Sequence, residues 1–307
     1  MNTTLTTATD LEARAAWSII AEPGDGVAGT LTQTLGHATA LEVLTAGHGT
    51  IVGALTAAGV PADEAEHAAA RWLPRHNPRA VDEALALAAS RGIALIDPAT
   101  IPGLSDLLEH APHIIWAAGD LTLLGRDLAD RIALIGARAA TAYGEHTTAE
   151  IAADLAGRGI VITSGAAYGI DGAAHRAALA AGGATIAWLA GGIDRPYPAG
   201  HSELIARIAD RGVIASEVAP GSAPTKWRFL ARNRMIAATT AATVVVEAGW
   251  RSGSLNTAGH ATALGRTLGA VPGPVTSAAS AGCHRLIREF DAQLITSADD
   301  AYELLGR

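Results

Sequence analysis

Apolar residues follow two regimes along this chain. Through roughly the first seventy residues they recur at helical spacing, in Leu11 to Ile20 and again in Pro61 to Leu73. Gly47-His48-Gly49-Thr50 supplies a turn between short helices. The stretch RWLPRHNPR (71–79) holds two prolines among arginines and a histidine, and reads as a solvated linker. From residue 92 short β-rich runs alternate with alanine-rich stretches. The strand-like runs are RIALIGA (131–137), IVITSG (160–165), ATIAWLAGG (184–192), VIASEV (213–218), ATVVVEAG (242–249) and TLGAVPG (267–273). Helix-like stretches lie between them, at Thr148 to Arg158, Asp171 to Ala181, His201 to Asp210 and Thr257 to Arg266. A strand that is apolar throughout has no wet face, so this alternation predicts a parallel sheet covered on both sides. The expected fold is α/β: an extended Rossmann-like, doubly wound and mostly parallel sheet over 92–307. A small helical domain over 1–75 and a linker or helix over 76–91 precede it. Ligands of such sheets bind at the carboxyl ends of the strands.

Composition narrows the function classes. Apolar residues make up 49% of the 307 positions, which is material for a substantial core and excludes disorder over most of the length. The uncharged run from Ala177 to Ile193 is broken by two Gly-Gly pairs and reads as a helix end plus a buried strand, not a membrane span. No secretion signal is legible, so the expected location is the cytoplasm. The net charge of −8 argues against a nucleic-acid partner until its distribution is considered. Residues 1–130 balance to −10 and residues 131–307 to +2, which leaves room for a basic groove in the second part. Lys226 is the only lysine beside 21 arginines, and Thr225 and Trp227 flank it, so a Walker A loop and P-loop ATP hydrolysis are excluded. The single cysteine, Cys283, rules out a disulfide framework and a cysteine-based metal site, and it reads as a packed or cap-proximal thiol. The eleven histidines show no metal-ligand spacing, and no cofactor is expected. His175 and Ser164 occur without a nucleophile elbow, so no catalytic triad is readable.

Candidate chemistry sits in the loops after the strands. GARAATAYG (136–144) offers Gly136 for close approach to a phosphate and Arg138 for its charge. SGAAYGIDGAAHR (164–176) gives Ser164, Gly165, Tyr168 and Gly169 a phosphate-sized loop, with Asp171 placed as a helix N-cap. GGIDRPYPAGH (191–201) sets Arg195 beside Tyr197, a cation and a stacking ring on a proline-stiffened loop. The densest cluster is KWRFLARNR (226–234), where Lys226, Arg228, Arg232 and Arg234 interleave with Trp227 and Phe229. Such a mixture suits single-stranded nucleic acid, because cations neutralise phosphates and rings stack on unpaired bases. A charged surface turn anchored by its aromatics would read the same way. EAGWRSGSLNTAGH (247–260) brings Arg251, Ser252, Gly253, Ser254 and Thr257 to another helix start. Glu247 there holds a loop by accepting backbone N–H groups, pairs with an arginine, or acts as a general base.

The ordered succession IALIGAR, TSGAAYGID, GGIDRPYP, FLARNRMIA, VVVEAGWRSGSLNTA and GAVPGPV followed by AGCHRLI resembles the DprA/Smf (DNA-processing protein A) family, and actinobacterial members in particular, over residues 92–295. The helices before it are similar to the family's sterile-alpha-motif-like (SAM-like) domain. The resemblance implies a non-enzymatic protein that binds and protects single-stranded DNA and forms homodimers. It also implies loading of RecA onto DNA coated with single-strand-binding protein, in natural transformation. Arg138 and Lys226 match the family's pocket cations. Arg232, Asn233 and Arg234 fall in the RNR motif, which with Phe229 completes the expected DNA-binding set. Tyr168 stands where many members carry a base and Leu230 where many carry proline. The chain stops at Arg307, without room for the winged-helix-like domain of some members. The alternative is a Rossmann enzyme that hydrolyses the N-glycosidic bond of nucleoside monophosphates. Such enzymes place a glutamate after a glycine cradle, whereas Glu247 precedes its glycines. A nicotinamide-dependent oxidoreductase lacks both its glycine fingerprint and its ribose-binding acid.

Overall fold

The structure, a computed structural model, describes residues 8–306. Six helices open the chain: α1 (Ala8–Ile20), α2 (Gly26–Leu35), α3 (His37–Thr45), α4 (His48–Ala57), α5 (Ala62–Trp72) and α6 (Pro78–Ser90). The turn expected over 47–50 shrinks to Ala46 and Gly47, because α4 already begins at His48. The linker expected over 71–79 contains the end of α5, a 3₁₀ turn and the start of α6, whose N-cap Asn77 accepts from the Arg79 amide. Its cations remain partly solvated while two of them also pair: Arg71 with Asp25 at 3.1 Å and Arg75 with Glu22 at 2.7 Å.

The six expected strands all form, as β3 (Arg131–Ile135), β4 (Val161–Ser164), β5 (Thr185–Trp188), β6 (Val213–Ser216), β7 (Ala242–Val245) and β8 (Thr267–Ala270). Three further strands, β1 (Ala94–Ile96), β2 (Ile115–Gly119) and β9 (Gln293–Leu294), complete a nine-stranded sheet of order β1-β2-β6-β5-β4-β3-β7-β8-β9. The strands from β6 to β9 are parallel, and β2 and β1 extend the sheet antiparallel beside β6. Between and after them run α7 (Ala142–Gly157), α8 (Ile170–Ala180), α9 (Ser202–Arg211), α10 (Lys226–Ala238), α11 (Ser254–Ala263), α12 (Ala281–Glu289) and α13 (Ala298–Glu303). Alternate residues of β3 explain its unbroken apolar run. Ile132 and Leu134 pack with α7, α8 and α13, whereas Ala133 and Ile135 pack with α10, α11 and α12.

The chain leaves β3 toward β4, β5 and β6, then returns to lay β7 on the other side of β3. This reversal is the switch point of a doubly wound sheet and opens a crevice outside the carboxyl ends of β3 and β7.

The helical unit packs onto the sheet through one continuous core. Trp17 and Trp72 meet edge to face at 5.3 Å, and the same cluster takes in Trp116 of β2, Leu189 and α9. At this junction His37 Nε2 and His113 Nδ1 lie 3.2 Å apart, facing Arg14 and Asp97, with Asp25 and Arg234 also near His113. Burial lowers His37 to about 4 and His113 to about 3, and it lowers His175 in α8 to about 3. All three are neutral when folded and bind protons on unfolding below about pH 6.5. Their contribution is therefore complete above pH 6.5 and is lost as pH falls toward their folded values, each at up to about 1.4 kcal/mol per pH unit. We expect the unfolding midpoint in urea to drop steeply from pH 6.5 to 4.5, and His113→Gln to flatten that slope. An unchanged slope in the variant would show that His113 is not protonated on unfolding.

Candidate nucleic-acid interface

A crevice of about 850 Å³ lies at the switch point. The loop after β3 supplies Arg138, the loop after β5 supplies Tyr197, and the loop after β7 supplies Arg251, Ser252 and Gly253. Ser254 and Thr257 come from the first turn of α11, and Lys226, Phe229, Arg232 and Asn233 from one face of α10. The cluster over 226–234 lies on a helix and not on a surface turn, and the helix is capped by Thr225, whose Oγ1 accepts from the Arg228 amide. Positions 226, 229, 233 and 236 repeat at helical spacing and meet the crevice together.

Two rings line the walls. Tyr197 and Phe229 have centroids 5.5 Å apart, and the Arg138 guanidinium lies 4.8 Å over the Phe229 ring. Arg232 approaches the same ring at 5.9 Å. Arg232 is 5% exposed, donates from Nη1 to the Trp188 carbonyl at 2.6 Å, and its Nε has no hydrogen-bond partner. Burial lowers its pKa to about 10 against the pull of Asp171, which still leaves it charged at neutral pH. Asp171 lines the crevice as well. Burial raises its pKa, which Arg232 and the amides of Ala167 and Gly165 oppose. Asp171 is not the N-cap of α8. It sits inside the first turn and accepts from the Gly165 and Ala167 amides at 3.2 and 3.4 Å, so it caps the loop before the helix.

The loops around the crevice are tied to one another. Ser254 Oγ donates to the Gly136 carbonyl at 2.7 Å, and Asn233 donates to Asn256 Oδ1 at 3.1 Å. Glu247 takes the loop-holding role: its carboxylate accepts from the Thr141 amide at 2.8 Å and the Thr141 hydroxyl at 2.6 Å. Both oxygens are thereby engaged.

Six residues of the expected set stand outside the crevice lining. Arg234 is buried on the opposite side of α10, where its guanidinium makes two 2.5 Å bonds to Glu217 and a 3.0 Å bond to the His110 carbonyl. Two residues on a helix are separated by about 200°, so Arg232 and Arg234 cannot share a face. Arg228 likewise turns away to Glu22 at 3.1 Å. Helical periodicity applied to RNR was the signal for this division. Ser164 is buried and donates to the Leu134 carbonyl at 2.7 Å, which removes it from phosphate binding. Gly165 lies beneath the Arg232 guanidinium, which a Cβ there would strike. Gly169, with φ +72°, lets the chain pass against the Ala137 and Arg138 carbonyls. Tyr168 is half exposed, and its hydroxyl accepts from the Gly200 amide at 3.2 Å. Arg195 is exposed beside Asp194.

Among the described residues no cluster of three or more His, Cys, Asp or Glu side chains could hold a metal ion, and no helix is long and apolar enough to cross a membrane. Cys283 is buried, with its thiol pushed up to about 12 by burial.

The chain is 58% identical over 198 residues to a Mycobacterium tuberculosis H37Rv protein described as a DNA processing protein DprA, a match spanning 64% of this chain and 50% of that relative. It therefore spans about half the length of that relative. Its fold matches the X-ray structure of DNA processing protein A from Streptococcus pneumoniae with a TM-score of 0.76 at 27% identity, over 97% of this chain and 98% of that one. It matches DNA processing protein A from Helicobacter pylori, solved to explain its single-stranded DNA binding mode, with a TM-score of 0.63 at 31% identity, over 69% of this chain and 95% of that one. The family model for DNA recombination-mediator protein A matches residues 93–306, so that the sheet, the switch-point crevice and all but the opening helices fall within it, and the chain belongs to that family.

Proposed function

We propose that this chain binds single-stranded DNA in the switch-point crevice and passes it to RecA, protecting the strand meanwhile and acting on DNA that single-strand-binding protein has coated. The observation that carries the reading is the convergence of Arg138, Lys226, Arg232 and Arg251 with Tyr197 and Phe229 in one cavity. Cations attract the backbone, and the rings receive bases only if these are unpaired. A cavity of this size admits a splayed-out nucleotide but not a stacked duplex. The Helicobacter pylori relative, solved for its single-stranded DNA binding mode, supports the same assignment. The working site is the cytoplasm, where recombination takes place, and the setting is natural transformation. The active form is a homodimer.

The role is binding, not catalysis. Glu247 spends both oxygens on Thr141, Asp171 accepts from the Gly165 and Ala167 amides, and His175 and Ser164 are buried outside the crevice lining. The rival reading, hydrolysis of nucleoside monophosphates, requires release of free base on incubation with nucleotide.

With about three to five phosphate contacts per protomer, log Kd against log salt should have a slope of magnitude about 2 to 4. Arg138→Ala and Lys226→Ala should each weaken binding several-fold for every sequence and reduce that magnitude by about 1. Unaltered affinity and slope in both variants would refute the crevice as the binding site. Arg234→Ala should behave differently. It leaves Glu217 buried and unpaired, so urea unfolding should show a loss of about 3–5 kcal/mol, with the salt slope of the folded protein unchanged.

A further inference from the structure

The six tryptophans divide into two groups. Trp17, Trp72, Trp116 and Trp188 are fully buried, whereas Trp227 is 62% and Trp250 57% exposed. Each exposed indole neighbours a crevice cation in the chain, Trp227 beside Lys226 and Trp250 beside Arg251. Neither ring lines the crevice itself. Trp227 shares the outer surface of α10 with Leu230, which is exposed and does line the crevice, so that surface continues from the rim. Trp250 is held in place: the Arg285 guanidinium lies 5.1 Å over its ring and 5.2 Å over that of Phe290, and Glu289 fixes Arg285 at 2.9 Å.

We propose that Trp227 and Trp250 are stacking platforms for unpaired bases of the same DNA strand, outside the crevice that grips its backbone. This rests on the single-strand reading above and extends it from one cavity to a track with aromatic ground on its rims. The occupant follows from charge and continuity. Cations flank each indole, which suits a polyanion, and the rings inside the crevice already select unstacked bases. A flat ring serves every base, so these platforms add affinity without sequence preference. They engage only strands long enough to leave the cavity.

The test compares labelled oligothymidylates of about four and about twenty nucleotides on the wild-type chain, Trp227→Ala, Trp250→Ala and the corresponding Phe variants. Each alanine variant should bind the longer strand about tenfold more weakly and the shorter one as the wild type does, and phenylalanine should restore most of the loss. Because four tryptophans are sealed, iodide quenching reads the two exposed ones, and the longer strand alone should protect them. Equal weakening for both lengths, unchanged binding of the longer strand, or rings still open to iodide at saturation would overturn the platforms while leaving the crevice in place. So would protection that appears without DNA as the protein concentration rises, which would assign the rings to self-association. Failure of the wild type to bind either strand would remove the single-strand reading and the platforms with it.

Discussion

Helix α10 begins with four cations in nine residues, and their mutual repulsion is acceptable only because the helix divides them between two sides. Lys226 and Arg232 reach the crevice, whereas Arg228 and Arg234 meet Glu22 and Glu217. The buried Arg234–Glu217 pair is the more demanding contact. Two desolvated charges are tolerated only with near-ideal geometry, and here two parallel bonds and a carbonyl supply it. That contact fixes the rotation of α10 about its axis, and the rotation decides which side chains a ligand meets. Glu22 comes from the opening helical unit, so the same helix is clasped by both parts of the chain.

The crevice depends equally on how the strands end. At the switch point the loops after β3 and β7 diverge and would splay without a tie. Glu247 ties them through its carboxylate to Thr141 and through its carbonyl to the Ala137 amide at 2.7 Å, while Ser254 holds Gly136 from the other side. A carboxylate used this way stiffens the crevice wall. Preorganisation of this kind reduces the conformational entropy lost on binding.

Most of the sheet was readable because its strands are buried on both faces and announce themselves as apolar runs. β1, β2 and β9 were not, since β1 and β9 have only three and two residues and β2 merges into its surroundings. Eleven of the seventeen residues expected to bind DNA line one cavity, because the loops after the strands and the helices that follow them begin at one end of a doubly wound sheet. Arg234 and the glycine loop stand apart from the crevice for different reasons. Counting charges in KWRFLARNR treats neighbours as companions, but helical rotation parts Arg232 from Arg234. The glycines at 164–169 suggest an open cradle, yet Asp171 and Arg232 already fill it. The acids that anchor arginines, Glu22 and Glu217, are distant in sequence and carry no local signature.

The scarcity of lysine has a practical consequence. Apart from the chain's own α-amino group, Lys226 provides the sole primary amine, and it lies exposed on the crevice wall. Amine-directed acylation or cross-linking therefore addresses a single interior position of a 307-residue chain, at the mouth through which a guest must pass. Reactivity at that nitrogen becomes a gauge of occupancy, read without inserting any foreign label.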